Sequence, residues 1–158
     1  MNPTKNSLSP EIRLAMVQCL NERLIDLLDL QLRAKQAHWN VKGSNFIGVH
    51  GLFDSVYGEV EGFVDTVAER AAALGGVVDG TVQTVAAKTR LMAYPVGITA
   101  WQDHVGAISQ SLSDVGGMIR TSLDYAQDHH DIATVDVFTE ILRGLDKLLW
   151  FVESHLQG

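Results

Sequence analysis

The stretch from Phe46 to Leu74, FIGVHGLFDSVYGEVEGFVDTVAERAAAL, decides the fold. Its apolar positions Phe46, Val49, Phe53, Val56, Val60, Val67, Ala71 and Leu74 recur at the spacing of one helix face, and Gly75-Gly76 marks the end. A helix of this length runs roughly 43 Å. Upstream, Ser9-Pro10-Glu11 supplies a capping hydroxyl, a proline at the first helical position and an acid in the first turn. Met16, Leu20, Leu24, Leu27 and Ala34 then predict a helix to about His38. Downstream, residues 77–98 are looser, with Gly80, Tyr94-Pro95 and Gly97, but leave room for a short helix over Thr81 to Lys88. Thr99 with Gln102 predicts a capping box, followed by Trp101, Val105, Ile108, Leu112, Val115, Ile119 and Leu123 on one face. From Asp131, the positions Val135, Phe138, Leu142, Leu145, Leu149, Val152 and Leu156 predict a last helix, ended by Gly158. The expectation is an all-α chain, a four-helix bundle whose second and third long helices are joined by a long crossover carrying a short helix. Residues 1–158 read as a single domain, with a short N-terminal tail over 1–8.

The totals agree. With 158 residues, 46% of them hydrophobic, the chain can bury a sizeable core. No window approaches eighteen uninterrupted apolar residues, and the opening MNPTKNSLSP lacks a basic start and an apolar stretch. The expectation is a cytoplasmic, unprocessed chain with no membrane segment. Cys19 falls among apolar residues at helical spacing and reads as a small core residue. Twelve basic against nineteen acidic residues leave a formal charge of -7, which disfavours a partner gripped by its phosphates and suits cations.

The central helix also carries chemistry. His50 and Asp54 lie four residues apart, as do Asp65 and Glu69, so each pair projects two metal-competent groups from adjacent turns. The pairs border the apolar stripe, so partial burial is expected, and two like charges at this spacing call for a cation. The pair centres are separated by roughly 22 Å along the helix, far beyond a ligand distance of about 2 Å. One chain cannot close such a site. A second copy packed antiparallel across a twofold axis would bring His50 and Asp54 of one chain to Asp65 and Glu69 of the other, making two equal sites. His38 shares a face with Leu20, Leu24 and Leu27 and can complete the set. Two nitrogens and three carboxylates suit iron(II) or zinc better than calcium or copper(I). A single-chain di-iron bundle would instead draw on Glu-x-x-His pairs, and the sequence has none.

Ala37-His38-Trp39-Asn40-Val41, then His50, Leu52-Phe53-Asp54, and Asp65 through Ala68-Glu69-Arg70 resemble the signature of the Dps family of mini-ferritins. The spacing matches at every position, Arg70 and Gly75-Gly76 fall in place, and Asp146-Lys147 with Leu149-Trp150-Phe151 is similar to the family's last helix. The resemblance implies a ferritin-like bundle whose dimers assemble into a hollow dodecamer. It implies ferroxidase sites at the dimer interfaces, hydrogen peroxide as preferred oxidant, and ferric oxide stored inside. His38, His50 and Asp54 would bind the two-iron site from one subunit, and Asp65 and Glu69 from its neighbour. Trp39 would sit beside the metal as a sink for stray oxidising equivalents. An acidic iron-uptake pore implied by the family points to Asp131, Asp136 and Glu140, although acids near a helix N-terminus also complement its dipole.

Relatives that bind DNA commonly use a lysine-rich tail, whereas here only Lys5 precedes the first helix and Ser154-His155-Leu156-Gln157-Gly158 has no basic run. Weak or absent DNA binding is the expectation. The alternatives are a nucleoid-binding structural protein and a scaffold with structural zinc at the dimer interface. Trp101 and Trp150 sit at core periodicity and read as packing residues. His104, His129, His130 and His155 fit no ligand pattern and read as surface or capping histidines.

Overall fold

The computed structural model describes residues 1–157; Gly158, expected to end the last helix, lies outside the described residues. The helices are α1 (Pro10–Asn40), α2 (Phe46–Ala73), α3 (Val82–Lys88), α4 (Trp101–Asp128) and α5 (Ile132–Glu153). The chain is all-α as expected; the one β-bridge among the described residues pairs Lys42 with Ala100. None of these helices is long and apolar enough to cross a membrane.

Short turns fold α1 on α2 and α4 on α5 as two hairpins, which pack with α1 against α4 and α2 against α5. At one end of the bundle the Asn2 amide donates to the Gly75 carbonyl at 2.6 Å. At the other, the Lys42 amide donates to Thr99 at 2.8 Å and the Trp101 amide donates to Lys42 at 3.1 Å. So α4 begins where α1 ends, and the crossover, with α3 docked on α1, travels the length of the bundle.

The predicted starts and stops hold in part. Ser9 caps α1, its hydroxyl accepting from the Ile12 amide at 3.3 Å. Leu74 closes α2 and Gly75 follows at φ 86°, where an added Cβ would lie 2.6 Å from the Asn2 carbonyl oxygen; glycine is required there. The expected capping box on α4 does not form. Thr99 spends its carbonyl on the Lys42 bridge, and Ala100 is the cap, without a side-chain bond. The helix α1 continues two residues past His38, to Asn40, while α5 stops at Glu153, short of Leu156.

Met16, Leu20, Leu24, Leu27 and Ala34 are buried, and every position of the α2 stripe is buried except Phe46. Each large side chain so covered contributes about 1.5–3 kcal/mol relative to exposure. Cys19 is a buried free thiol. Two aromatic and histidine readings are corrected. Trp150 is 62% exposed, because its position faces outward from α5 despite matching the apolar period. His104 is 0% exposed, because the crossover folds over the first turn of α4.

Charges are buried as well. Arg23 and Asp26 pair at 3.0 Å inside the bundle, and Arg90 of the crossover reaches Asp26 at 2.9 Å. Burial pushes the Asp26 carboxyl up to about 6, against the pull of Arg23. Its ionised form therefore costs the fold stability above about pH 6, and acidification relieves that cost. At the base of the bundle, Arg70 Nη2 donates to both oxygens of Asp131, at 2.7 and 2.9 Å, and Asp131 caps α5 by accepting from the Thr134 amide.

This last contact ties α2 to α5 and sets a test. Asp131→Ala removes both a cap and the partner of a half-shielded guanidinium, so it should cost roughly 3 kcal/mol in chemical denaturation at fixed protein concentration. Asp131→Asn keeps an acceptor for the cap and should lose less. Equal losses would show that the cap contributes nothing, and no loss in Asp131→Asn would show that the ion pair contributes nothing.

Candidate metal centre

The turn between α1 and α2 brings His38 and His50 face to face. Gly43 makes the bend at φ 120°, where an added Cβ would sit 2.9 Å from Trp101 Cδ1. That close seat gives the half-buried Trp101 the packing role expected of it. The two imidazoles stack with centroids 3.6 Å apart and planes 24° apart. Their hydrogen bonds are reciprocal: His38 Nδ1 donates to the His50 carbonyl at 2.8 Å, and His50 Nδ1 donates to the His38 carbonyl at 2.9 Å. A carbonyl can only accept, so Nδ1 carries the proton in each neutral ring and Nε2 keeps its lone pair. Backbone acceptors orient metal-binding histidines in this way.

Asp54 lies one turn beyond His50 and is exposed. It pairs with Lys35, whose ammonium also rests 4.5 Å from the centre of the Tyr57 ring. The Lys35 hydrogen bond holds the Asp54 carboxyl below the usual range, with His38 and His50 adding to the effect. Lys35 went unread in the sequence, although it stands one turn before His38 on the same helix. Tyr57 was missed too; its hydroxyl donates to Glu61 at 3.2 Å, so it belongs to the same exposed flank.

Asp65 and Glu69 occupy the far half of α2, exposed and with no hydrogen bond or ion pair to any described residue. The partial burial expected for the carboxylates of this flank is not found in the single chain: Asp54, Asp65 and Glu69 all face outward, while His38 and His50 are half-buried. The reason is that α1 covers the apolar stripe and leaves the neighbouring flank open. No three His, Cys, Asp or Glu side chains among the described residues come together to hold a metal ion. Trp39, adjacent to His38, is 69% exposed. Phe46, whose ring lies 4.9 Å from that of His50, and Ile47 are exposed as well.

Of the acids near the start of α5, Asp136 and Glu140 are exposed, but Asp131 is buried. Burial alone would raise the Asp131 carboxyl; its bonds to Thr134 and Arg70 outweigh this and hold it below the usual range. Asp131 is thus already engaged within its own chain. His129 donates from Nδ1 to the Tyr125 carbonyl at the end of α4, the capping position expected of it.

Residues 17–158 match the ferritin-like domain family. The chain is 42% identical over 154 residues to the DNA protection during starvation protein of Agrobacterium fabrum, covering 98% of this chain and 95% of that one. Among solved structures it is similar to Dps from Microbacterium arborescens in the high iron form, with 39% identity and a TM-score of 0.89, over 95% of this chain and 97% of that chain. It also resembles Mycobacterium smegmatis Dps at 32% identity and a TM-score of 0.94, over 99% of this chain and 96% of that chain. With a ferritin-like bundle and similarity over almost its whole length, the chain belongs to the Dps family of ferritin-like proteins.

Proposed function

We propose that two copies of this chain together build ferroxidase sites that oxidise ferrous iron, with hydrogen peroxide preferred as oxidant. The family carries iron storage and DNA protection as its general role. The observation that supports the finer reading is the division of one ligand set along α2. Two histidines with free Nε2 lone pairs stand at one end, and two unpaired carboxylates stand about 22 Å away. A twofold partner with α2 antiparallel supplies each half with the other. His38, His50 and Asp54 then bind iron from one subunit, and Asp65 and Glu69 from the partner. Trp39 and Phe46, exposed beside the histidines, suit burial in that same contact.

Asp54 must exchange the Lys35 ammonium for iron, while Asp65 and Glu69 gain the cation that their mutual repulsion calls for. Two ferrous ions held together deliver two electrons to one peroxide, which is reduced to water without releasing a hydroxyl radical. Trp39, beside His38, is placed to accept stray oxidising equivalents. Twelve subunits forming a hollow shell would store the ferric product, with Asp136 and Glu140 lining the uptake pore and Asp131 holding the start of α5 in place. The shell would work in the cytoplasm.

Adding Fe²⁺ anaerobically, then hydrogen peroxide, and following ferric absorbance tests the site. Loss of groups that merely support metal ligands costs 10–100-fold, so His50→Ala and Asp65→Ala should each slow oxidation at least about tenfold. Wild-type rates in both variants would overturn the assignment and leave structural zinc as the interface reading. After subunit exchange between the two variants, mixed dimers regain one intact site of two, restoring about a quarter of all sites. No recovery would show that the ligands are not shared.

Nucleic acid is expected to bind weakly. A shell of twelve chains carries about -84 formal charges, twelve times the -7 of one chain, and duplex affinity rests on phosphate neutralisation. Gel retardation of iron-free protein at low salt and neutral pH should show no discrete shifted band; such a band would favour the nucleoid-binding reading.

A further inference from the structure

His104 sits in the first turn of α4, fully buried, yet it makes a single hydrogen bond. Its Nδ1 lies 2.7 Å from the Tyr94 hydroxyl, and its Nε2 has no partner. The Ile98 carbonyl acts on the ring without completing a hydrogen bond at Nε2. Tyr94 and Ile98 both belong to the crossover, whose last residues pair with Lys42 beside the α1–α2 turn. On the other side the ring meets the edge of Phe53, with centroids 6.4 Å apart.

We propose that His104 is a proton-sensitive latch: neutral, it fastens residues 93–100 of the crossover to α4, and protonated, it releases them. In the closed state a neutral ring with its proton on Nε2 leaves Nδ1 as the acceptor for the Tyr94 hydroxyl. An imidazolium there would be stripped of water, and its Nδ1 would turn from acceptor to donor and could no longer take the Tyr94 hydrogen. The charges nearby do not compensate. Arg33 of α1 acts on Tyr94 and adds a like charge, Asp103 in the same turn of α4 is exposed, and α2 presents Phe53, which cannot titrate.

Burial holds the His104 pKa below its ordinary 6.5, with Ile98 and Asp103 opposing. The sign follows: the closed state binds fewer protons than the open one, so its stability is intact above about pH 6.5 and is lost as pH falls below that. Where the closed form takes up no proton, the opening constant rises about tenfold for each pH unit below about 6.5. Asp26 is a second titrating group at the crossover, of opposite sign: burial raises its carboxyl to about 6, so acidification relieves the cost of burying it beside Arg90. That tie lies at residue 90, so the two are separable by segment.

Hydrogen exchange of the intact assembled protein, corrected for intrinsic rates and read between pH 5 and 8, tests the latch. The amides of Lys42, bonded to the Thr99 carbonyl, and of Trp101, bonded to the Lys42 carbonyl, should lose protection in wild type as pH falls below about 6.5, by at most about tenfold per pH unit. His104→Gln, which offers Tyr94 an acceptor but cannot titrate, should give a flat profile. Tyr94→Phe should lower protection of the same amides already at pH 7.5, and it tests the latch even if the glutamine variant does not fold. A flat wild-type profile, an unchanged slope in His104→Gln, or full neutral-pH protection in Tyr94→Phe would each overturn the proposal.

Discussion

A straight helix holds its side chains at fixed stations, and α2 depends on that rigidity. Its rise of 1.5 Å per residue keeps His50 and Asp54 apart from Asp65 and Glu69 by roughly 22 Å, whatever the rest of the bundle does. Since α1 and α5 brace α2 along its length, it cannot bend to close the gap. A complete donor set is therefore out of reach within one chain, which is also what the scattered carboxylates of the structure display. A site that uses both pairs would need a second copy, and this follows from geometry before any question of affinity.

The histidine end is organised by backbone rather than by charge. Reciprocal Nδ1-to-carbonyl bonds between His38 and His50 tie the last turn of α1 to the first turn of α2 and orient both rings at once. This arrangement needs a tight connection, which Gly43 provides with Trp101 pressed against it. The carboxylate end has no such scaffold. Asp65 and Glu69 extend into solvent, where like charges cost little, and only a partner surface bearing a cation would make their spacing costly or useful.

The crossover is held by polar ties more than by apolar burial. Thr89 donates to Asp29 at 2.5 Å, Arg90 reaches Asp26, and Tyr94 meets His104, so that α1 and α4 each take part in anchoring it. Most of its larger apolar side chains, including Met92 and Val96, remain exposed. Polar ties over a low-burial segment make it the part of the fold most responsive to protonation, because Asp26 and His104 are both buried titratable groups.

Helix positions, the long crossover with its short helix, and the spacing of the candidate ligands along α2 were legible in the sequence. Each follows from local rules: a 3.6-residue period, glycine and proline punctuation, and a fixed rise per residue. Period alone, however, misplaced Trp150, which matches the apolar repeat yet faces outward, and it gave no sign that the crossover would bury His104. Thr99 with Gln102 had the composition of a capping box, but the Lys42 bridge claimed the Thr99 carbonyl. Nor did spacing reveal that Lys35 would neutralise Asp54 or that Asp131 would be taken up by Arg70. What the sequence determined by itself was which residues share a helix face and how far apart they stand, because covalent geometry sets both. Which of those faces is covered, and which charged group finds a partner, only the tertiary structure decided, because burial and pairing depend on segments distant along the chain.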